Sequence, residues 1–275
     1  MAQGAEPVKT RRVVVGLDAA PQSRVALAAA AALASQLRAE LDALFVENAD
    51  LLRLAGLPFA RELGFPSASL RRLDPETMQR SLRAHAAEAR RALTTAAGRV
   101  DVHWSFRVAR GSMVDEVLAA AAEAELAVLG LARWDREALR LAARSPTRLL
   151  IMREGAAVGG SLAALCSSEV PPHQAVRVLC DLGAALGDGL AIVLLGRDPE
   201  AGERWRREAA ARLAERGREA SIRFVNADDA GALRSALAGL DPGSLVLLGA
   251  DPALEEGVLR SALAASRRPV FVCPA

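Results

Sequence analysis

Asp18 has the most suggestive surroundings of any acidic residue in the sequence. It closes RRVVVGLD (Arg11 to Asp18) and precedes AAPQSRVALAAAAALASQL, whose apolar spacing predicts a helix. The β-branched run Val13, Val14, Val15 lacks polar alternation, which predicts a strand buried on both faces. A carboxylate at the carboxyl end of such a strand stands where open α/β sheets bind ligands, and could hydrogen-bond a ligand hydroxyl or ring nitrogen. The same carboxylate could instead cap the helix that begins near Pro21. Position alone leaves both roles open.

The other reactive residue types do not assemble into a motif. His85, His103 and His173 are far apart in sequence and lack HxxxH or HExxH spacing, so no metal site is expected. Cys166, Cys180 and Cys273 have no CxxC spacing; Cys166 and Cys180 fall in apolar segments and are expected to pack as small hydrophobes. No GxSxG surrounds Ser112, Ser145 or Ser261, so none has an argued role as a nucleophile. Gly16 has no companions in Rossmann spacing and GxxxxGK[ST] is absent, which removes the dinucleotide and P-loop readings. Gly183, Gly187 and Gly189 lie between a helix and the next strand, the wrong end for a ligand, and are expected to be turn residues.

Composition bounds what can hold these residues in place. A chain of 275 residues suits two domains, and a hydrophobic fraction of 52% excludes a disordered one. Aromatics are only 3% and alanine is abundant, so core area must come from leucine and valine on strands and helix faces. The 35 basic residues exceed the 33 acidic ones by two and are scattered, which argues against nucleic acid as a partner. The odd cysteine count argues for a reducing compartment, the cytoplasm. Neither a signal-type h-region nor a long uninterrupted apolar stretch occurs, so no membrane association is expected.

Along the chain, strands are expected at 13–18, 41–46, 101–108, 126–129 and 148–152, separated by helices at about 22–38, 75–97, 114–124 and 136–143. The segment 47–79 interrupts this order as a long insertion with one short helical piece around Leu51 to Leu54. Its Leu57, Phe59, Leu63 and Phe65 suggest packing on another surface. After the small-residue linker EGAAVGG the order returns in shorter form, with strands at 162–166, 190–195, 221–225, 244–248 and 270–273. Helices are expected between them at 172–187, 199–217, 229–239 and 252–265. Both halves pair a strand ending in LG, at Gly130 and at Gly249, with a helix, a proline and a closing strand. This is an internal repeat carried by pattern more than by identity. The expected architecture is α/β: two tandem doubly wound units, each a five-stranded parallel sheet flanked by helices. The first unit takes residues 1–154 with its insertion at about 47–79, the linker 155–160, and the second, shorter unit 161–275.

On VVVGLD with Ser23 and ALAAAAALA, on LDALFVE, and on RGSMVDEVLAAAAEAELAVLGLAR leading into SPTRLLIM, the chain resembles the universal stress protein family in its tandem form. The likeness covers 12–153 well and 161–274 faintly, mainly by element order. It implies an adenine-nucleotide alpha-hydrolase-like fold and dimers, often formed through the last strand. In the branch of the family that binds ATP, Asp18 matches the acidic residue on the adenine side and Val46 a hydrophobic pocket residue ending strand two. The family's phosphate loop reads G-x2-G-x9-G-[ST]. Gly130 matches its first glycine, but Arg133, Ala143 and Arg144 occupy the remaining places. In the repeat, Gly249 is followed by Pro252 and Ala262, and only Ser167 or Ser168 stands where Asp18 does. Without those glycines a backbone cannot wrap closely round a triphosphate.

The leading expectation is therefore a cytoplasmic, non-catalytic protein of universal stress type, without a cofactor, acting through protein contacts or a small ligand. The degenerate second domain would pair with the first as a pseudo-dimeric monomer, or the chain would form a homodimer. The alternative is an ATP-binding protein with weak or no ATPase activity, using Asp18, Val46, Gly130 and Arg133. A third possibility makes the insertion a gate over the strand-end crevice, or a partner-binding surface.

Overall fold

The computed structural model describes residues 11–64, 69–133, 136–186, 189–241, 243–248, 263 and 267–273. Its first half runs β1 (Arg12–Leu17), α1 (Pro21–Leu37), β2 (Glu40–Asn48), α2 (Ala49–Ala55), β3 (Arg61–Gly64), β4 (Ser69–Arg72), α3 (Pro75–Gly98), β5 (Trp104–Gly111), α4 (Met113–Ala121), β6 (Leu126–Gly130), α5 (Arg136–Arg144) and β7 (Arg148–Met152). The second half runs β8 (Ser161–Ser167), α6 (Pro172–Leu186), β9 (Leu190–Gly196), α7 (Pro199–Ala214), β10 (Ser221–Asn226), α8 (Ala230–Ala238), β11 (Gly243–Leu248) and β12 (Val270–Cys273). The helix expected at 252–265 lies outside the described residues apart from Leu263, which is helical and buried.

The two five-stranded parallel units do not stay separate. They merge into one ten-stranded sheet of order β10-β9-β8-β11-β12-β7-β6-β1-β2-β5. Within each half the main strands follow the order third, second, first, fourth, fifth, and neighbours pair in parallel. At the centre β12 pairs antiparallel with β7, with Phe271 opposite Leu150. Both side chains are buried. The last-strand pairing that the resemblance implied between two chains thus joins the two repeats of one chain. Covering these edges against each other leaves β5 and β10 as the outer strands of this sheet, and both have the half-exposed alternation that HWSFRV suggested for the first of them.

Helices cover both faces, as parallel strands buried on both sides require. On one face Val13, Val15 and Leu17 of β1 meet α1 and α3, and the same core continues through Val176 and Leu179 of α6 to Trp205 of α7. On the other, Leu44, Val46 and Leu129 pack with Val114 and Val117 of α4 and Leu141 of α5, and the layer continues to Leu233 of α8. Gly16 is explained by this second layer. A Cβ there would lie 2.6 Å from Val117 Cγ2 and 2.7 Å from Leu129 Cδ1, so the glycine lets α4 settle on the sheet.

The insertion is more ordered than its sequence suggested. Asn48 caps α2, its side chain accepting from the N–H of Asp50 at 2.8 Å, and α2 is followed by the antiparallel hairpin β3–β4. The short apolar alternation in RELG and SLRR gave no strong strand signal by itself. Asp74 caps α3 through Thr77 N–H at 2.8 Å, and its hydrogen bonds with Thr77 hold its carboxyl below the usual carboxylate range.

Candidate functional site

At the carboxyl end of β1 the chain turns through Asp18, Ala19 and Ala20 into α1, and a cleft of about 280 Å³ opens between α1 and α3. Leu17, Asp18, Ser23 and Arg24 line it from one side, His85 and Glu88 from the other. The first turn of α1 is unusually well buried for a helix start, with Gln22 and Ser23 both buried.

Asp18 and Ser23 hold this turn by a reciprocal pair of bonds. The Asp18 N–H donates to Ser23 Oγ at 3.0 Å, and the Ser23 hydroxyl donates to Asp18 Oδ1 at 2.5 Å. Asp18 Oδ1 also accepts from the Ala20 N–H at 2.9 Å. The logic is that of a capping box displaced outward, because the residue at the cap position is Ala20, whose side chain makes no cap bond. Asp18 is therefore a brace for the loop rather than the helix cap itself. Its second oxygen, Oδ2, makes no hydrogen bond to a described residue, and Asp18 is among the residues that line the cleft.

Across the cleft Arg24 of α1 forms an ion pair with Glu88 of α3. His85 and Glu88 are three residues apart on α3, a spacing that puts both on one helical face. That spacing was visible in the sequence, but nothing there showed that α3 folds back over α1. The arrangement offers a carboxylate acceptor, an imidazole and an exposed ion pair around a small cavity. Ser23 donates to Asp18 and not to His85, so the cleft contains no serine–histidine relay. Among the described residues no group of histidine, cysteine, aspartate and glutamate could hold a metal ion.

The other residues carried by the resemblance lie elsewhere. Val46 is buried in the opposite layer with Leu44, Val114 and Val117 and does not line the cleft. Gly130 ends β6 directly beneath α1, where a Cβ would lie 2.4 Å from the main-chain carbon and oxygen of Gln22. Arg133 is exposed on the turn after β6, a turn tied down by the Leu131 N–H donating to the Met152 carbonyl at 2.9 Å. Gly130 and Asp18 are thus both placed by the first turn of α1, one against Gln22 and the other against Ser23. Arg133 and Val46 are not brought to the same wall. In the second half, Ser167 Oγ accepts from the Glu169 N–H at 3.3 Å, a local turn with no carboxylate in the Asp18 position. The Gly249 loop lies outside the described residues.

No protein-family model and no curated protein matches this sequence. Solved structures do match it. A universal stress protein from Archaeoglobus fulgidus superposes with a TM-score of 0.66 at 14% identity, over 96% of this chain and 98% of that one. A putative universal stress protein from Pseudomonas aeruginosa gives 0.60 at 16% identity, over 96% of this chain and 93% of that one. Identities this low speak for architecture, and the architecture covers both repeats: the chain has the tandem fold of universal stress proteins.

Proposed function

We propose that this chain is a non-catalytic protein of the universal stress type that acts through protein contacts, with the Asp18 cleft open to a small polar ligand. One observation carries the first part. The positions that would complete a phosphate loop, Ala143 and Arg144, lie in the last turn of α5. Helical N–H groups are directed along the helix to carbonyls four residues back, so these two do not present donors to a phosphate. Gly130 has its own packing reason in Gln22, and Arg133 is an exposed side chain on a turn. These facts support a site without a triphosphate grip.

The insertion supports the second part. Leu51, Leu54, Leu57, Phe59 and Leu70 all stand out into solvent there, and Phe59 is 75% exposed. Among the described residues, Ala55, Ala60 and Leu73, with Met78 against them, form a small core beneath. A clustered apolar surface on an insertion favours a partner-binding role over that of a gate. Calorimetry of the whole protein tests the reading. ATP at millimolar concentration should give no saturable heat that depends on Asp18, and saturable ATP binding abolished by Asp18→Ala would overturn the proposal in favour of a nucleotide-binding protein.

A further inference from the structure

A second cleft, of about 770 Å³, lies in the other half of the sheet, where the linker enters β8 and the chain enters β11 and β12; because β12 runs antiparallel to β7, these amino ends share an edge with the carboxyl end of β1. Its volume is within the range of small-molecule sites. One wall is the linker itself, Gly155 to Gly160, which has no side chain larger than Val158. The other walls bring Arg234 from α8 and Arg267 and Arg268 from the segment before β12. Among the described residues the lining contains no aspartate or glutamate.

Several arginines elsewhere are matched to carboxylates: Arg24 to Glu88, Arg107 to Asp42, Arg110 to Glu47, Arg140 to Asp115 and Arg197 to Asp228. Arg234 and Arg267 have no ion pair or side-chain hydrogen bond with a described residue. Arg268 is occupied differently. Its guanidinium donates to the carbonyls of Leu240 and Asp241, just beyond the end of α8, and the Asp241 carboxylate acts on it from outside the lining. The carboxyl end of a helix would otherwise repel an anion, and Arg268 offsets that effect.

We infer that this cleft binds a small phosphate-bearing ligand, with Arg234 and Arg267 as the primary contacts and Arg268 screening the end of α8. One guanidinium satisfies a carboxylate through a two-point contact, whereas a phosphate group has acceptors on every side and takes several guanidinium groups at once. Like charges gathered without carboxylates disfavour one another, and an anion bound between them relieves that cost. The linker adds a low wall. Gly155 has φ of 76°, and no atom lies within 4 Å of where its Cβ would be, so the backbone here can be approached closely.

Inorganic pyrophosphate is the probe, titrated calorimetrically into the full chain at low salt, with citrate as the carboxylate comparison. Saturable pyrophosphate binding is expected, weakened about tenfold or more in the Arg234→Ala/Arg267→Ala double variant. Both side chains are exposed, so the melting temperature of the free double variant should match that of the parent. Asp18→Ala should leave pyrophosphate binding unchanged, which separates this site from nucleotide binding in the first half of the sheet. No saturable heat with pyrophosphate, equal binding by the double variant, or a preference for citrate would each overturn the inference.

Discussion

Gly130 ends its strand against the backbone of Gln22: a Cβ added to it would stand 2.4 Å from both the carbonyl carbon and the oxygen of that residue. The contact is main chain to main chain across the α1–β6 interface, so no side chain can swing away to relieve it. Gly130→Ala must then shift the first turn of α1, and with it Ser23 and the Asp18 loop. A loss of about 1–3 kcal/mol in unfolding free energy by urea titration is expected with no nucleotide present. An unchanged midpoint would show that the helix start is more compliant than its burial implies, and would return Gly130 to the phosphate-loop reading.

Ser23→Ala removes both halves of the reciprocal bond with Asp18 and leaves the Asp18 N–H without its 3.0 Å partner. Comparable cap losses cost about 0.5–2 kcal/mol. Asp18→Asn keeps an acceptor oxygen and should cost less than Ser23→Ala. Equal losses in the two variants by chemical denaturation would mean that charge, not the hydroxyl bridge, fixes the turn.

Much of this architecture was legible because it rests on local chemistry. VVVGL, LAVLG and RLLIM read as buried strands because β-branched and aliphatic runs leave no polar face, and Asp74-Pro75 marked the start of α3. The union of the two sheets through Leu150 and Phe271 was not legible as such. Nothing in a short apolar strand says whether its free edge meets another molecule or a distant segment of its own chain. The Asp18 site was half legible. The end of β1 drew attention to the carboxylate, but Arg24, His85 and Glu88 become its neighbours only through the packing of α3 on α1. The three-arginine cleft gave a weaker signal still, since Arg234 is thirty-odd residues from the SRRP segment that it meets across the cleft.

The exposed apolar residues of the insertion should be removable without harm to the fold. Leu54 and Phe59 are 46% and 75% exposed, so Leu54→Ser/Phe59→Ser should change unfolding free energy by no more than about 0.5 kcal/mol per site. A large loss would instead identify the segment as part of the core and remove the main support for a partner surface.

Glu47 is the reverse case, a buried carboxylate on β2 whose Oε2 accepts from Arg110 Nε at 3.2 Å and Nη2 at 3.0 Å. Arg110 itself is largely exposed, and solvent screens the pair from that side. Arg110→Ala should cost about 1–2 kcal/mol, because it leaves the carboxylate buried and unpaired. The Glu47→Gln/Arg110→Ala double variant should recover part of that loss. A double variant no more stable than Arg110→Ala would rule out the unpaired charge as the cause.

The buried cysteines fix how the fold responds to alkali. Burial pushes the Cys166 thiol up to about 12 and that of Cys273 up to about 11, the latter opposed in part by Arg148. Both native values lie above the ordinary thiol range, so between the unfolded and folded values the native state keeps protons that the unfolded chain has lost. Stability from these thiols is then fully present below about pH 8.5 and falls as pH rises towards 11 and 12, by up to about 1.4 kcal/mol per pH unit for each thiol. The Cys166→Ser/Cys273→Ser double variant should show a shallower decline across that window in urea titrations repeated at increasing pH. Parent and variant curves that stay parallel from pH 8 upward would show that ionisation of other groups, and not of these two thiols, governs alkaline unfolding.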